Sequence, residues 1–285
     1  MSFYRSHDVL APSSFLLYNA REVIFMYTSM SNILGDIKSG PLFICFGIWH
    51  LCYIALFVGI AVFAALYLRK QGLQKRKSVM DAFVNIAFGL YIADFFLMPF
   101  AYGEINIEKL PFHVCTTMCV MCFLSRRVEF LKKFKLQFAT LGFISNLVYL
   151  IYPAGVMWKE VHPLSYRVIQ TLFFHGVMAV YGFLVLLYER EGFTWKKIHR
   201  DLLTVVGMAA WALLGNTLYN NETSFYNWFF VVRDPFNMFE ESISPFIMPF
   251  LNIFLFSVAE LLVYFIFWKA SRAHAKSNEA KGVMG

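Results

Sequence analysis

The sequence predicts an all-α integral membrane bundle of about seven transmembrane helices, and three observations carry that prediction. Hydrophobic residues make up 59% of the 285 residues and charged residues only 15%, against about a quarter charged in a soluble domain. The apolar residues fall in blocks of about 20, the length that crosses a hydrocarbon core. Lys and Arg gather in alternate connections between those blocks, as they do in multi-pass proteins.

The apolar blocks lie at 41–68, 80–102, 110–125, 136–157, 165–188, 202–219 and 245–268. The third is short, which suits a tilted or half-buried helix, or one lengthened by snorkelling of Arg126 and Arg127. The chain thus divides into an N-terminal segment (1–40), a seven-span domain (41–268) and a tail (269–285). Within 14–37, Phe15, Leu16, Leu17, Val23, Ile24, Phe25 and Met26 are broken by Arg21 and Glu22. An interfacial amphipathic helix fits that pattern, with an extra span as the alternative.

Of the 25 Lys and Arg residues, 18 fall in the connections 69–79, 126–135 and 189–201 and in the tail, and seven on the other side. The richer side is expected in the cytoplasm, which leaves the N-terminus outside and the C-terminus cytoplasmic. This distribution accounts for the net charge of +7 without nucleic acid. All five cysteines lie inside apolar blocks, so no disulfide framework is expected. The first 41 residues lack the uninterrupted apolar core of a signal peptide.

Polar groups inside spans are costly, face the bundle interior and often mark function. Here they are His50, Asp94, His113 with Cys115, Thr116 and Thr117, Asn146, His175, Asn216, and Asn252 with Glu260. No Lys or Arg lies deep in a span, which argues against a retinal-type pigment. At about 1.5 Å per residue, His50, Asp94, Cys115, Asn146, His175 and Asn252 fall about 8–17 Å below the outer boundary. They share one layer, as a pocket open to the outer leaflet would need, and Glu260 lies outside it. The plainer reading is interhelical glue for the Asn residues and apolar packing for Cys45, Cys52, Cys119 and Cys122.

The densest stretch is Leu110-Pro111-Phe112-His113-Val114-Cys115-Thr116-Thr117. Pro111 suits a first helical turn. His113, Thr116 and Thr117 share a face of the helix that follows, while Cys115 points about 160–200° away with Cys119 and Cys122. A nucleophile here needs its base from another span, and His175 is the candidate. A zinc site built from three thiolates in apolar surroundings would be costly, so no metal and no cofactor are expected. The connection 220–244 is rich in aromatics and is expected to fold back as an interfacial cap.

Several motifs resemble the YwaF family of multi-spanning membrane proteins, which belongs with a vertebrate acyltransferase of ether-phospholipid remodelling. They are Phe46-Gly47-x-x-His50, Leu110-Pro111-x-His113-x-Cys115, His175, Leu214-Gly215-Asn216-x-x-Tyr219-Asn220, and Phe229-x-x-x-Arg233-Asp234-Pro235. Phe112 stands where Leu is usual. The resemblance implies an intramembrane acyl transfer on a lipid, with Cys115 as nucleophile and His175 as base, in a bacterial cytoplasmic membrane. Thr116 or Thr117 would be the nucleophile if the chemistry follows a more distant group of Thr–His membrane hydrolases. Asp94 or Asn146 would orient the imidazole, and His50, His113 and Asn216 would bind the oxyanion or head group. Membrane lipids are the expected partners, and no protein partner is expected. The rival class is a non-enzymatic transporter or receptor using the same polar layer.

Overall fold

The computed structural model describes residues 34–37, 39–102, 107–157, 160–189, 198–235 and 238–282. Nine α-helices are described: α1 Ile48–Arg69, α2 Leu73–Tyr102, α3 Val114–Leu124, α4 Glu129–Lys132, α5 Lys135–Ile151, α6 Ala154–Met157, α7 Tyr166–Tyr188, α8 Ile198–Tyr219 and α9 Ser244–Gly282. Most of the segment expected to form an interfacial helix lies outside the described residues.

The protein is an all-helical, multi-pass integral membrane protein. Six segments are long and apolar enough to cross a membrane, and the helix of the third apolar block is not among them. Six of the seven apolar blocks thus hold a helix of spanning length, and the third, expected to be short, holds a shorter one. α3 has 11 residues, or about 16 Å of rise. Its length is set by the Pro111 turn before it and a turn at Ser125–Arg127 after it. Other boundaries also move. α1 starts at Ile48 rather than near 41, and α2 starts at Leu73, so Lys75, Arg76 and Lys77 are helical rather than looped.

α7 is the central helix. Buried residues make up 78% of its spanning segment, against 17–44% in the other five. A helix apolar on all sides belongs inside a bundle. Small residues let its neighbours close in: a methyl group on Gly176 would sit 2.3 Å from the Phe57 ring of α1, and one on Gly182 would sit 2.7 Å from the Ala139 carbonyl oxygen of α5. The peripheral faces are apolar and exposed, as lipid-facing surfaces are. On α9, Phe246, Phe250 and Phe254 form such a stripe at four-residue spacing.

Contacts fix the relative directions. Arg76 lies over the Tyr188 ring, and Tyr166 reaches Asp94, so α2 runs antiparallel to α7. Lys135 pairs with Glu189, and Tyr149 stacks on His175, so α5 is antiparallel to α7 too. Tyr188 donates to the Ala65 carbonyl and Tyr53 packs on Phe173, so α1 is parallel to it. The end carrying Arg76, Lys135 and Arg200 is the basic end. At the opposite end the Ile37 amide donates to Ser165 Oγ at 3.0 Å, and Asp36 accepts from Tyr102 at 2.9 Å and pairs with Arg167 at 3.4 Å.

Replacing Gly182 with Ala is expected to cost about 1–3 kcal/mol. The added methyl meets a backbone carbonyl that no rotamer change can move. Thermal unfolding in detergent should show the loss, and an unchanged midpoint would disprove the close α5–α7 approach.

Candidate functional site

The Leu110-Pro111-Phe112-His113 turn is pinned before α3 begins. The Pro111 carbonyl accepts from Thr117 Oγ1 and from the Trp211 indole of α8, both at 2.6 Å. Phe112 packs among Trp211, Tyr219 and Trp228, against Gly215, where a methyl group would meet its ring. His113 is the extended residue that precedes α3. The Thr116 hydroxyl donates back to its carbonyl at 3.1 Å. Both threonine hydroxyls therefore point at local backbone acceptors.

Cys115, in the first turn of α3, is partly buried, and the Ser145 hydroxyl of the neighbouring α5 donates to the Gly142 carbonyl at 3.2 Å. One turn further along α5, Tyr149 stacks face to face on His175, with centroids 3.9 Å apart and planes at 14°. Phe174 packs edge-on against the same imidazole. The helices of Cys115 and His175 thus both pack against α5, and no hydrogen bond joins the two side chains among the described residues. Lys109 and His113 lie within electrostatic reach of His175.

The tautomer of His175 follows from its bonding. Nδ1 lies 2.7 Å from the Thr171 carbonyl oxygen. A carbonyl only accepts, so Nδ1 carries the proton and Nε2 keeps the lone pair. This corrects the expectation that Asp94 or Asn146 orients the imidazole. Asp94 instead pairs with Lys109 at 2.7 Å and accepts from Tyr166 at 3.1 Å. The Asn146 amide donates to Gly142 at 2.7 Å, and its Oδ1 is buried with no partner among the described residues.

His50 and Asn216, expected to bind substrate, are occupied by backbone. His50 Nδ1 accepts from the Phe46 amide at 2.9 Å, so Nε2 donates to the Leu150 carbonyl at 2.8 Å. It ties the start of α1 to the last turn of α5. Asn216 accepts from the Trp228 amide at 3.0 Å and donates to the Trp228 carbonyl at 3.2 Å. Asn252 donates to the Phe230 carbonyl at 2.9 Å. These bonds hold a turn in which Phe229 and Phe230 have left-handed backbone (φ 57° and 52°), a strained state for bulky residues. The aromatic connection does fold back: Trp228, Phe229 and Val231 are buried.

Ser145, Tyr149, Thr171 and Lys109 were not identified from sequence. Nothing in the spacing of an apolar helix distinguishes a Ser or Tyr that meets another span from one that meets lipid. A second polar group lies toward the basic end, where Asp201 accepts from Tyr264 at 2.7 Å. Glu260, on the same α9 face one turn earlier, is fully buried with neither oxygen partnered among the described residues. All five cysteines are free thiols, and no cluster of three or more His, Cys, Asp or Glu suited to a metal exists among the described residues. An apolar groove of about 550 Å³ between α1 and α2, with Ile60, Ala64 and Phe83 in its wall, does not include Cys115 or His175.

The fold defines a multi-pass helical membrane protein in which a partly buried Cys115 and a buried His175 lie on two helices that pack against a third. The chain belongs to the TMEM164 family, whose sequence profile matches residues 45–270; that is the family shown, rather than the YwaF name that the motifs suggested. No curated protein and no solved structure matches the chain significantly.

Two expected outcomes separate structural from chemical roles. Lys109→Met should cost about 3 kcal/mol, and Asp94→Asn less. The Asp94 side chain is 3% exposed and is left buried without its cation, whereas the Lys109 side chain, 26% exposed, can turn to water. The reverse order in thermal melts would refute the assignment. Asn216→Ala should release the Trp228 turn, leaving two buried backbone groups unpaired at about 1–3 kcal/mol each. Faster proteolysis within 220–235 is the readout.

Proposed function

We propose that the protein is an intramembrane acyl-transfer enzyme acting on a lipid. The observation that carries this is the bonding of His175. Its Nδ1–H is committed to Thr171, which leaves the Nε2 lone pair as the available base, on a helix that packs against α5 as the helix of Cys115 does. Neutral imidazole in a fixed orientation is what a general base requires.

In this mechanism Nε2 takes the Cys115 thiol proton as sulfur attacks the ester carbonyl. The S–C bond forms and the ester C–O bond breaks. The imidazolium returns its proton to the leaving alkoxide. A second hydroxyl, activated by Nε2 in the same way, then attacks the thioester, and the acyl group passes to it while sulfur recovers a proton. The Thr171 carbonyl positions the ring and stabilises the imidazolium. Asn146, His113 and Lys109 supply the polar surroundings of the carbonyl. The stacked Tyr149 holds the imidazole plane.

The same reading includes seven crossings, with the N-terminus outside and the C-terminus cytoplasmic. Two facts support it. α2 and α5 run in the same direction, so the chain between them must return across the bundle, and α3 with its flanks makes that return. The basic end carries the connections richest in Lys and Arg, which suits the cytoplasmic face.

Cys115→Ala and His175→Ala should each reduce acyl transfer by at least about 10²-fold, with melting temperature retained. Cys119→Ala should leave activity near that of the parent. The assay follows a labelled acyl chain from one phospholipid to a second lipid in reconstituted vesicles. Loss only at Thr116 or Thr117 would move the nucleophile there. Full activity after His175→Ala would overturn the reading.

A further inference from the structure

At the basic end, α2, α4, α5 and α8 enclose a cleft of about 360 Å³. Lys77, Lys132, Lys133, Lys135 and Arg200 line it, together with Glu189. Glu189 is already committed, since both its oxygens accept from Lys135 at 2.7–2.8 Å. Lys132 is paired with Glu129 at 2.8 Å, and Arg200 donates to the Lys133 carbonyl at 3.1 Å. Lys77 and Lys133 have no carboxylate partner among the described residues and are exposed. Five cations from four helices and the turn after α4 therefore converge with too few anions among the described residues to neutralise them, and their mutual repulsion falls if an anion enters.

Two further features bear on what that anion is. α5 begins at this cleft with no side-chain cap on its first turn and no acidic residue in it, so its first amides are available to an acceptor. Beside the cations, large apolar side chains face outward: Phe130 is 66% exposed and Leu202 51%. A soluble phosphate would use the cations and ignore this rim. A lipid uses both, because its phosphate meets the cations while its chains cover the apolar residues.

We propose that this cleft binds the phosphate of an anionic phospholipid, seated at the end of the bundle remote from His50 and the Trp228 turn. The site is independent of the Cys115–His175 chemistry and stands or falls apart from it.

The test is thermal unfolding of the full chain in detergent micelles containing either phosphatidylglycerol or phosphatidylcholine, with inorganic phosphate as a separate arm. Phosphatidylglycerol is expected to raise the midpoint by about 3 °C or more over phosphatidylcholine. The double variant Lys77→Ala/Lys133→Ala should lose that increment while melting normally in phosphatidylcholine, since both side chains are exposed. The control Lys70→Ala/Lys75→Ala removes the same charge from exposed residues at the same end but outside the cleft, and should keep it. Loss of the increment in the control as well would reduce the effect to diffuse surface charge and overturn the proposal. An equal shift from millimolar inorganic phosphate would replace the lipid with a soluble anion. No difference between the two lipids would remove the site.

Discussion

The close approach of α5 to α7 sets the geometry on which the rest of the bundle depends. Gly182 brings the α5 backbone against α7, with Ala139 and Phe143 in contact distance of its missing side chain. The helices are antiparallel, so the same seam two turns further along lays Tyr149 flat on His175. A larger residue at 182 would push α5 outward and separate those rings. Packing between apolar helices in lipid has no hydrophobic driving force of its own, and close contact at small residues substitutes for it. Gly176 does the same toward α1, through Phe57. The central helix is thus held at fixed distance from two neighbours, and its imidazole is held with it.

Polar groups within this frame obey a strict accounting, because hydrocarbon offers no water as a partner. Most of the polar side chains noticed in the sequence answer that need with backbone. His50 fastens two helix ends, Asn216 and Asn252 fasten a strained turn, and the threonines after His113 close their own helix start. Asp94 is balanced by Lys109, a residue just outside the apolar block that reaches inward. A polar residue in a span is thus often a brace rather than a reagent, and its bonding distinguishes the two roles better than its presence.

The positions and order of the long apolar blocks were legible in the sequence, because length and hydropathy act over some 20 residues; the central place of the fifth emerged only in the structure. The folding back of the connection at Trp228 and Phe229 was legible as well, since aromatic side chains are costly to leave in water, although Phe225 and Phe230 stay exposed. What escaped was anything set by one or two residues. The third block was visibly short in the sequence, but the turns at Pro111 and Ser125 that cut α3 to half a span were not. The expected partner of His175 was a carboxylate or an amide, but the imidazole uses a carbonyl four residues earlier on its own helix. That choice is invisible to composition, since every residue offers a carbonyl. Ser145 and Tyr149 were passed over for a related reason: their importance comes from the seam they face.

Once the backbone accounting is complete, few atoms along the α5 strip keep spare valence. The hydroxyls of Thr116, Thr117 and Thr140 are returned to the backbone, and His50 is occupied at both nitrogens. What remains is the lone pair on His175 Nε2, the Cys115 sulfur and the buried Oδ1 of Asn146. An unpaired acceptor in such a place is destabilising by about 1–3 kcal/mol, so it must be offset by the packing around it. Of these three, a base and a nucleophile are the two that covalent acyl chemistry needs, and Asn146 offers a polar group beside them. The buried carboxyl of Glu260 is unpartnered among the described residues as well, so spare valence is not confined to this strip. The proposed acyl chemistry rests on the pairing of a fixed base with a nucleophile rather than on unpaired atoms alone.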